Sequence, residues 1–208
     1  MAAVAAVLAL AVGILFSFGR TARYAAIRIP VTVILEFFRG MPVLLMMLFI
    51  LLVFSTGSYV AGVLALGIYN GAIIGEALRA GIVSLPRGQR ESGLAVGLTP
   101  LQTRLSIEFP QAFRQMLPII IAQLIVLLKD TSLAFVIGYK ELLRTVVVQM
   151  SNYYGNRYFF TLFFLALVVY LTLNLSLSAV ARAVARRTAA TGAPPRARRR
   201  RRTQSEGV

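Results

Sequence analysis

Apolar runs approaching the length of a bilayer crossing recur along this chain, and no other feature limits its fold so strongly. The hydrocarbon core of a membrane takes about 20 helical residues. Inside it each backbone N–H and C=O must be bonded within the protein, so a spanning segment is a helix or part of a closed barrel. Five segments fit the helical role: 1–18, 42–54, 59–80, 113–138 and 158–180. Hydrophobic residues make up 58% of the 208, above the roughly 45–50% of a soluble domain. The expected fold is an all-α integral membrane bundle of about five transmembrane helices, one domain over 1–182.

The first apolar segment carries Arg20, Arg23 and Arg28 after it rather than before it, the reverse of a secretory signal. It is barely long enough to cross, and the chain is expected to begin inside that helix. Residues 20–39 read as an elbow that partly enters the membrane interface. In 59–80, Gly67, Gly71 and Gly75 recur every fourth residue and share a helix face. Such a stripe predicts a packing groove where another helix approaches closely. Residues 81–112 are polar, hold Pro86, Pro100 and Pro110, and read as a long connection with short helices inside it. Connections of that length are usually functional. Residues 183–208 are rich in Arg, Ala and Pro and read as a basic, disordered tail.

Net charge is +15, with 22 Lys+Arg against 7 Asp+Glu. Segments 20–39, 79–114 and 182–202 carry 18 of these cations, whereas 55–58 and 139–157 carry 3. Five spans place the first group on one side, and the positive-inside bias makes that side the cytoplasm. The N-terminus is then outside and the C-terminus inside. The basic excess is thus an anchor facing anionic lipid headgroups, and no nucleic-acid partner is expected. With no Cys and no His, disulfides, thiol nucleophiles, Cys/His zinc sites and imidazole bases are excluded. No catalytic residue and no metal ligand is predicted.

The polar connection carries the most specific pattern. It reads Glu91-Ser92-Gly93, three residues, Gly97, nine residues, then Ile107-Glu108-Phe109-Pro110. This resembles the EAA loop of binding-protein-dependent ABC importers, with Ser92-Gly93 in place of two alanines and Phe109 in place of leucine. Three further stretches are similar to polar-amino-acid permeases of that type I importer family. They are EFFRGMP from Glu36, GAIIGEALRAGIVSLPRGQ from Gly71 and LLKDTSLA from Leu127. Met41, Ile73 and Leu85 are mild departures from the family pattern. The resemblance extends over nearly the whole membrane domain and is to the glutamate/glutamine/arginine/histidine group, glutamate permeases included.

The resemblance implies a transport subunit of a bacterial cytoplasmic membrane without catalysis of its own. ATP and Mg would be used by a separate ATPase dimer, since this chain has no G-x-x-x-x-G-K-[ST] loop, and no cofactor is expected on it. An extracellular binding protein and a second permease chain, identical or related, complete the implied assembly. Glu91, Ser92, Gly93, Gly97, Ile107 and Pro110 would couple to the ATPase. A small-faced helix seats in a groove, Gly97 allows a sharp turn, and Pro110 sits near a helix start.

Lys129, Asp130, Thr131 and Ser132 are the first candidates for the substrate pathway. A zwitterion needs a carboxylate for its ammonium and a cation or N–H for its carboxylate. Pairing with neighbouring helices is the structural alternative. Asn70 and Glu76 follow, because polar groups in a span are costly and normally face the protein interior, although Glu76 and Arg79 are also spaced to pair with each other. A secondary transporter or channel would explain these polar groups but not the loop pattern.

Overall fold

The computed structural model describes residues 1–154 and 156–192, and every regular element among them is helical. Helix α1 (Ala2–Arg20) packs against the long α4 (Ser58–Ser84). Between them run α2 (Ala25–Gly40) and the short α3 (Val43–Val53). After α4 come α5 (Arg87–Ala95), α6 (Pro100–Thr103), a π-helical segment Arg104–Glu108 and α7 (Phe109–Asp130). A 3₁₀ turn Thr131–Phe135 follows, then a π-helical segment Arg144–Met150, α8 (Ser151–Tyr154), a second 3₁₀ turn Asn156–Tyr158 and α9 (Phe159–Gly192). Helix α4 is the hub, touching α1, α2, α3 and α7. Its Leu66, Ile74 and Leu78 are buried together with Met46, Met47, Ile120 and Leu127.

The α1–α4 contact shows why α4 carries its glycine stripe. Helix α1 buries Ala5, Ala9, Gly13 and Ser17, one at every fourth position. Over Gly67, Gly71 and Gly75 lie the side chains of Leu8, Val12 and Phe16, with the Ala9 and Gly13 carbonyls beside the last two, so the two helices approach closely. A Cβ on Gly71 would stand 2.8 Å from Val12 Cβ and 3.1 Å from the Ala9 carbonyl oxygen. One on Gly75 would stand 2.9 Å from the Gly13 carbonyl oxygen.

Four helical stretches among the described residues are long and apolar enough to cross a membrane: Ala2–Arg20, Ser58–Ser84, Pro100–Phe135 and Phe159–Ala183. The pair α2 and α3, bent by 103°, makes a fifth if taken as one broken span. The expected second span is therefore shorter than its composition suggests. Helix α3 has 11 residues, about 16 Å at 1.5 Å per residue, roughly half of a hydrocarbon core. The expected elbow is helix α2, which leaves Ile27, Ile29, Val33, Ile34 and Phe37 exposed along its length.

Two boundaries differ from expectation. The connection 81–112 is mostly helix: α4 continues to Ser84, and the helix expected to start at 113 begins at Pro100 as one rod through Asp130. Pro110 lies inside that rod, where its missing N–H and its ring disturb the preceding turn. The wider π winding of Arg104–Glu108, just upstream, accommodates it. At the other end, α9 runs to Gly192, beyond the boundary expected at 182. Residues 183–192 are mostly Ala and Arg, strong helix formers that extend the helix. The rest of the expected tail, 193–208, lies outside the described residues.

Candidate functional site

The residues singled out by the loop pattern form a compact helix–turn–helix on one end of the bundle. Helix α5 starts directly after Pro86 and ends at Ala95, and two residues on Gly97 has a φ of +86°. In that left-handed conformation Leu98 N–H donates to the Gly93 carbonyl and Gly97 N–H to the Leu94 carbonyl, both at 3.1 Å. This is a Schellman closure, which glycine adopts without Cβ strain. The chain then enters α6 through a capping box. Thr99 N–H donates to Gln102 Oε1 at 2.9 Å, Gln102 N–H donates to Thr99 Oγ1 at 3.3 Å, and Pro100 opens the helix.

Gly93 and Ile107 hold this unit to the bundle. Gly93 is buried, and a Cβ there would meet Thr103 Cγ2 at 2.6 Å and Ile107 Cδ1 at 2.9 Å. Gln111 Nε2 adds a tie from α7, donating to Gln89 Oε1 at 2.9 Å. Glu91 and Ser92 remain exposed, beside exposed Leu94, Val96 and Leu101. Ser92 Oγ donates to the Gly88 carbonyl at 2.6 Å. The result is a rigidly mounted outer surface of small and apolar side chains with one carboxylate, suited to a protein partner.

Above this unit lies a lattice of charges. Arg79 donates twice to Glu76, Nε to Oε2 at 2.9 Å and Nη2 to Oε1 at 2.7 Å. Arg20, at the end of α1, bonds the same carboxylate and lies 3.5 Å from Glu36. Arg39 Nη1 reaches both oxygens of Glu36, at 3.1 and 3.2 Å. Two glutamates thus tie α1, α2 and α4 together through three arginines. Between the lattice and α5 opens a cavity of about 300 Å³ bordered by Arg87, Arg90, Arg104 and Glu108 as well as Arg20 and Arg79. Arg104 Nε lies 3.7 Å from Glu108.

The six pathway candidates divide into two groups. Asn70 and Glu76 are engaged inside the chain. Asn70 is fully buried, donates to the Leu66 carbonyl at 2.8 Å and accepts from Gln123 Nε2 of α7 at 2.8 Å. Lys129 is exposed and Asp130 half-buried at the end of α7. Among the described residues neither charged group forms an ion pair or a side-chain hydrogen bond. The Thr131 and Ser132 hydroxyls donate to the Leu128 and Lys129 carbonyls at 2.7 and 2.8 Å, which leaves them as acceptors. Gln123, Arg20 and Glu36 escaped sequence reasoning as site-forming residues. Their only signal is a polar group in or beside an apolar segment, which demands a partner without saying which one.

A helical bundle with a mounted helix–turn–helix between two spans defines a class, that of membrane components of binding-protein-dependent transporters. The chain belongs to that family: the binding-protein-dependent transport system inner membrane component matches residues 9–190. It is accordingly a multi-pass inner-membrane protein. It is 40% identical over 153 residues to the glutamate transport system permease protein GluD of Corynebacterium glutamicum, a match covering 70% of this chain and 56% of that protein. It is 35% identical over 142 residues to the glutamine transport system permease protein GlnP of Escherichia coli K12, covering 65% of each. The chain thus spans little more than half to two thirds of the length of these relatives. A solved amino acid ABC transporter with histidines superposes with a TM-score of 0.78 at 27% identity, over 89% of this chain and 88% of that one. The methionine ABC transporter MetNI, inward facing, shares the fold at a TM-score of 0.64 and 20% identity, over 88% of each chain.

Proposed function

We propose that the chain is the permease subunit of an ATP-driven importer of polar amino acids, and that glutamate is its substrate. The observation that carries the importer reading is α5: its inner side is locked by Gly93 and Ile107 while its outer side presents Glu91, Leu94 and Val96. A separate ATPase dimer would seat on that outer side. The basic end of the bundle would then be cytoplasmic, with the N-terminus outside and the C-terminus inside, in keeping with the clustering of Arg20, Arg79, Arg87, Arg90 and Arg104 at that end. A second permease chain and an external binding protein complete the pathway. Glutamate is favoured by the 40% identity to GluD.

The rod from α6 to Asp130 supplies a mechanical link. Motion imposed at α5 reaches Lys129 and Asp130 through one continuous helix. These two side chains, with no ion pair or side-chain hydrogen bond among the described residues, would meet the substrate ammonium and carboxylate. The reading is tested by co-purification with the ATPase subunit and by uptake in proteoliposomes. Glu91→Lys and Gly97→Asp should release the ATPase while the permease stays folded. Retention of the ATPase by both variants, or uptake without ATP, would overturn it.

A further inference from the structure

A second cleft lies on the other side of Arg20 and Arg79, between the end of α1, the elbow α2 and the last turns of α4. It encloses about 330 Å³ and is lined by Arg20, Arg28, Ile29, Thr32, Val33 and Arg79. Three guanidiniums therefore share one cleft with two exposed branched alkyl side chains. Arg20 and Arg79 are partly committed to Glu76, and Arg20 also faces Glu36. Arg28 makes no ion pair and no side-chain hydrogen bond among the described residues. The Thr32 hydroxyl donates to the Arg28 carbonyl at 2.8 Å, which leaves it as an acceptor. With Arg39 on Glu36, four arginines face two glutamates, and the cleft retains a positive excess.

The position of the cleft says what that excess meets. Helix α2 is bent by 103° from α3, so when α3 enters the bilayer α2 runs along its surface. Its exposed Ile27, Ile29, Val33, Ile34 and Phe37 are those of a helix lying in the interface. At that depth a phospholipid carries its phosphate between headgroup and acyl chains. An arginine fork matches phosphate oxygens in pairs, and alkyl side chains beside it match the first methylenes of the acyl chains. We propose that this cleft is a binding site for an anionic phospholipid, its phosphate held by Arg28 with Arg20 and Arg79, its acyl chains along Ile29 and Val33. The proposal needs only that the chain lies in a bilayer, and it stands whichever solute is transported.

The test uses the full chain, purified with its partners in detergent, stripped of lipid and titrated with fluorescent phosphatidylglycerol or phosphatidylcholine in mixed micelles. Phosphatidylglycerol should bind at least several-fold tighter. Arg28→Gln should weaken it about tenfold, the loss expected of one charge-assisted hydrogen-bonded contact. Arg28→Lys should weaken it less, keeping charge but losing the fork. Arg114→Gln, an exposed arginine outside the cleft, should leave binding unchanged. Millimolar glycerol phosphate should not displace the lipid. Equal affinity for both lipids, or equal losses in Arg28→Gln and Arg114→Gln, would overturn the proposal. Displacement by glycerol phosphate would make this a free-phosphate site instead. Unchanged lipid affinity with loss of the ATPase subunit in Arg28→Gln would assign the cleft to a protein partner.

Discussion

Alanine at Gly75 should destabilise the bundle even though alanine is the better helix former. The added Cβ falls 2.9 Å from the Gly13 carbonyl oxygen and 2.8 Å from Phe16 Cβ. Backbone and Cβ atoms cannot rotate away, so α1 must recede by about 0.5 Å to reach the 3.4 Å at which ordinary contact begins. Overpacking of this kind costs about 1–3 kcal/mol. Exchanging Gly for Ala inside a helix returns about 1 kcal/mol. The net expectation is a loss of about 0–2 kcal/mol. Gly71→Ala faces the same obstacle at Val12 and the Ala9 carbonyl and should cost a similar amount. The two should not add. Once α1 has moved for one methyl group, the other finds room, so the double variant should fall short of the sum by about 0.5–1 kcal/mol. Gly88→Ala is the control, because nothing lies within 4 Å of its Cβ position, and it should be neutral or stabilising. Denaturation in dodecyl maltoside by titrated SDS, followed by circular dichroism, reads all four. A Gly75→Ala variant more stable than the parent, or full additivity, would refute close packing of α1 on α4.

Three further outcomes follow from the charged and polar ties. Glu76→Gln leaves Arg20 and Arg79 without a shared carboxylate; with these side chains 14% and 29% exposed, partial screening limits the cost to about 1.5–3 kcal/mol. A double-mutant cycle with Arg79→Gln should show about 1 kcal/mol of coupling, and a cycle showing none would remove the pair as a structural tie. Gln123→Leu strands the buried Asn70 carboxamide oxygen and should cost about 1–3 kcal/mol in the same denaturation assay. Adding Asn70→Leu should recover part of that loss, and no recovery would sink the assignment. Asp130→Asn should cut ATP-driven uptake by proteoliposomes at least tenfold, the loss of one charge-assisted contact, with assembly intact; unchanged uptake would take Asp130 out of the pathway.

What was legible in the sequence was local, and what was hidden depended on contacts between distant segments. The turn at Gly97 follows from spacing alone, because a Schellman closure is completed within six residues. The glycine stripe on α4 announces a groove, but its mate on α1 does not stand out, since Leu8, Val12 and Phe16, which lie over the glycines, sit in an unbroken apolar run. Hydropathy reads composition and not direction, so it does not show that the second span is broken: α3 alone has 11 residues, and with α2, bent from it by 103°, it makes a fifth crossing only as a pair. Proline misled in the opposite sense at Pro110: it marks a helix start by rule, yet a π turn upstream lets the rod continue. The polar residues inside apolar helices were visible as a demand for partners. Arg20 meets Glu76 across 56 positions and Gln123 meets Asn70 across 53, and no local rule pairs residues so far apart. The same logic separates the functional candidates. Asn70 and Glu76 have partners inside the chain. Lys129 and Asp130, at the end of α7, form no ion pair and no side-chain hydrogen bond among the described residues, and this is what keeps them candidates for a contact with substrate.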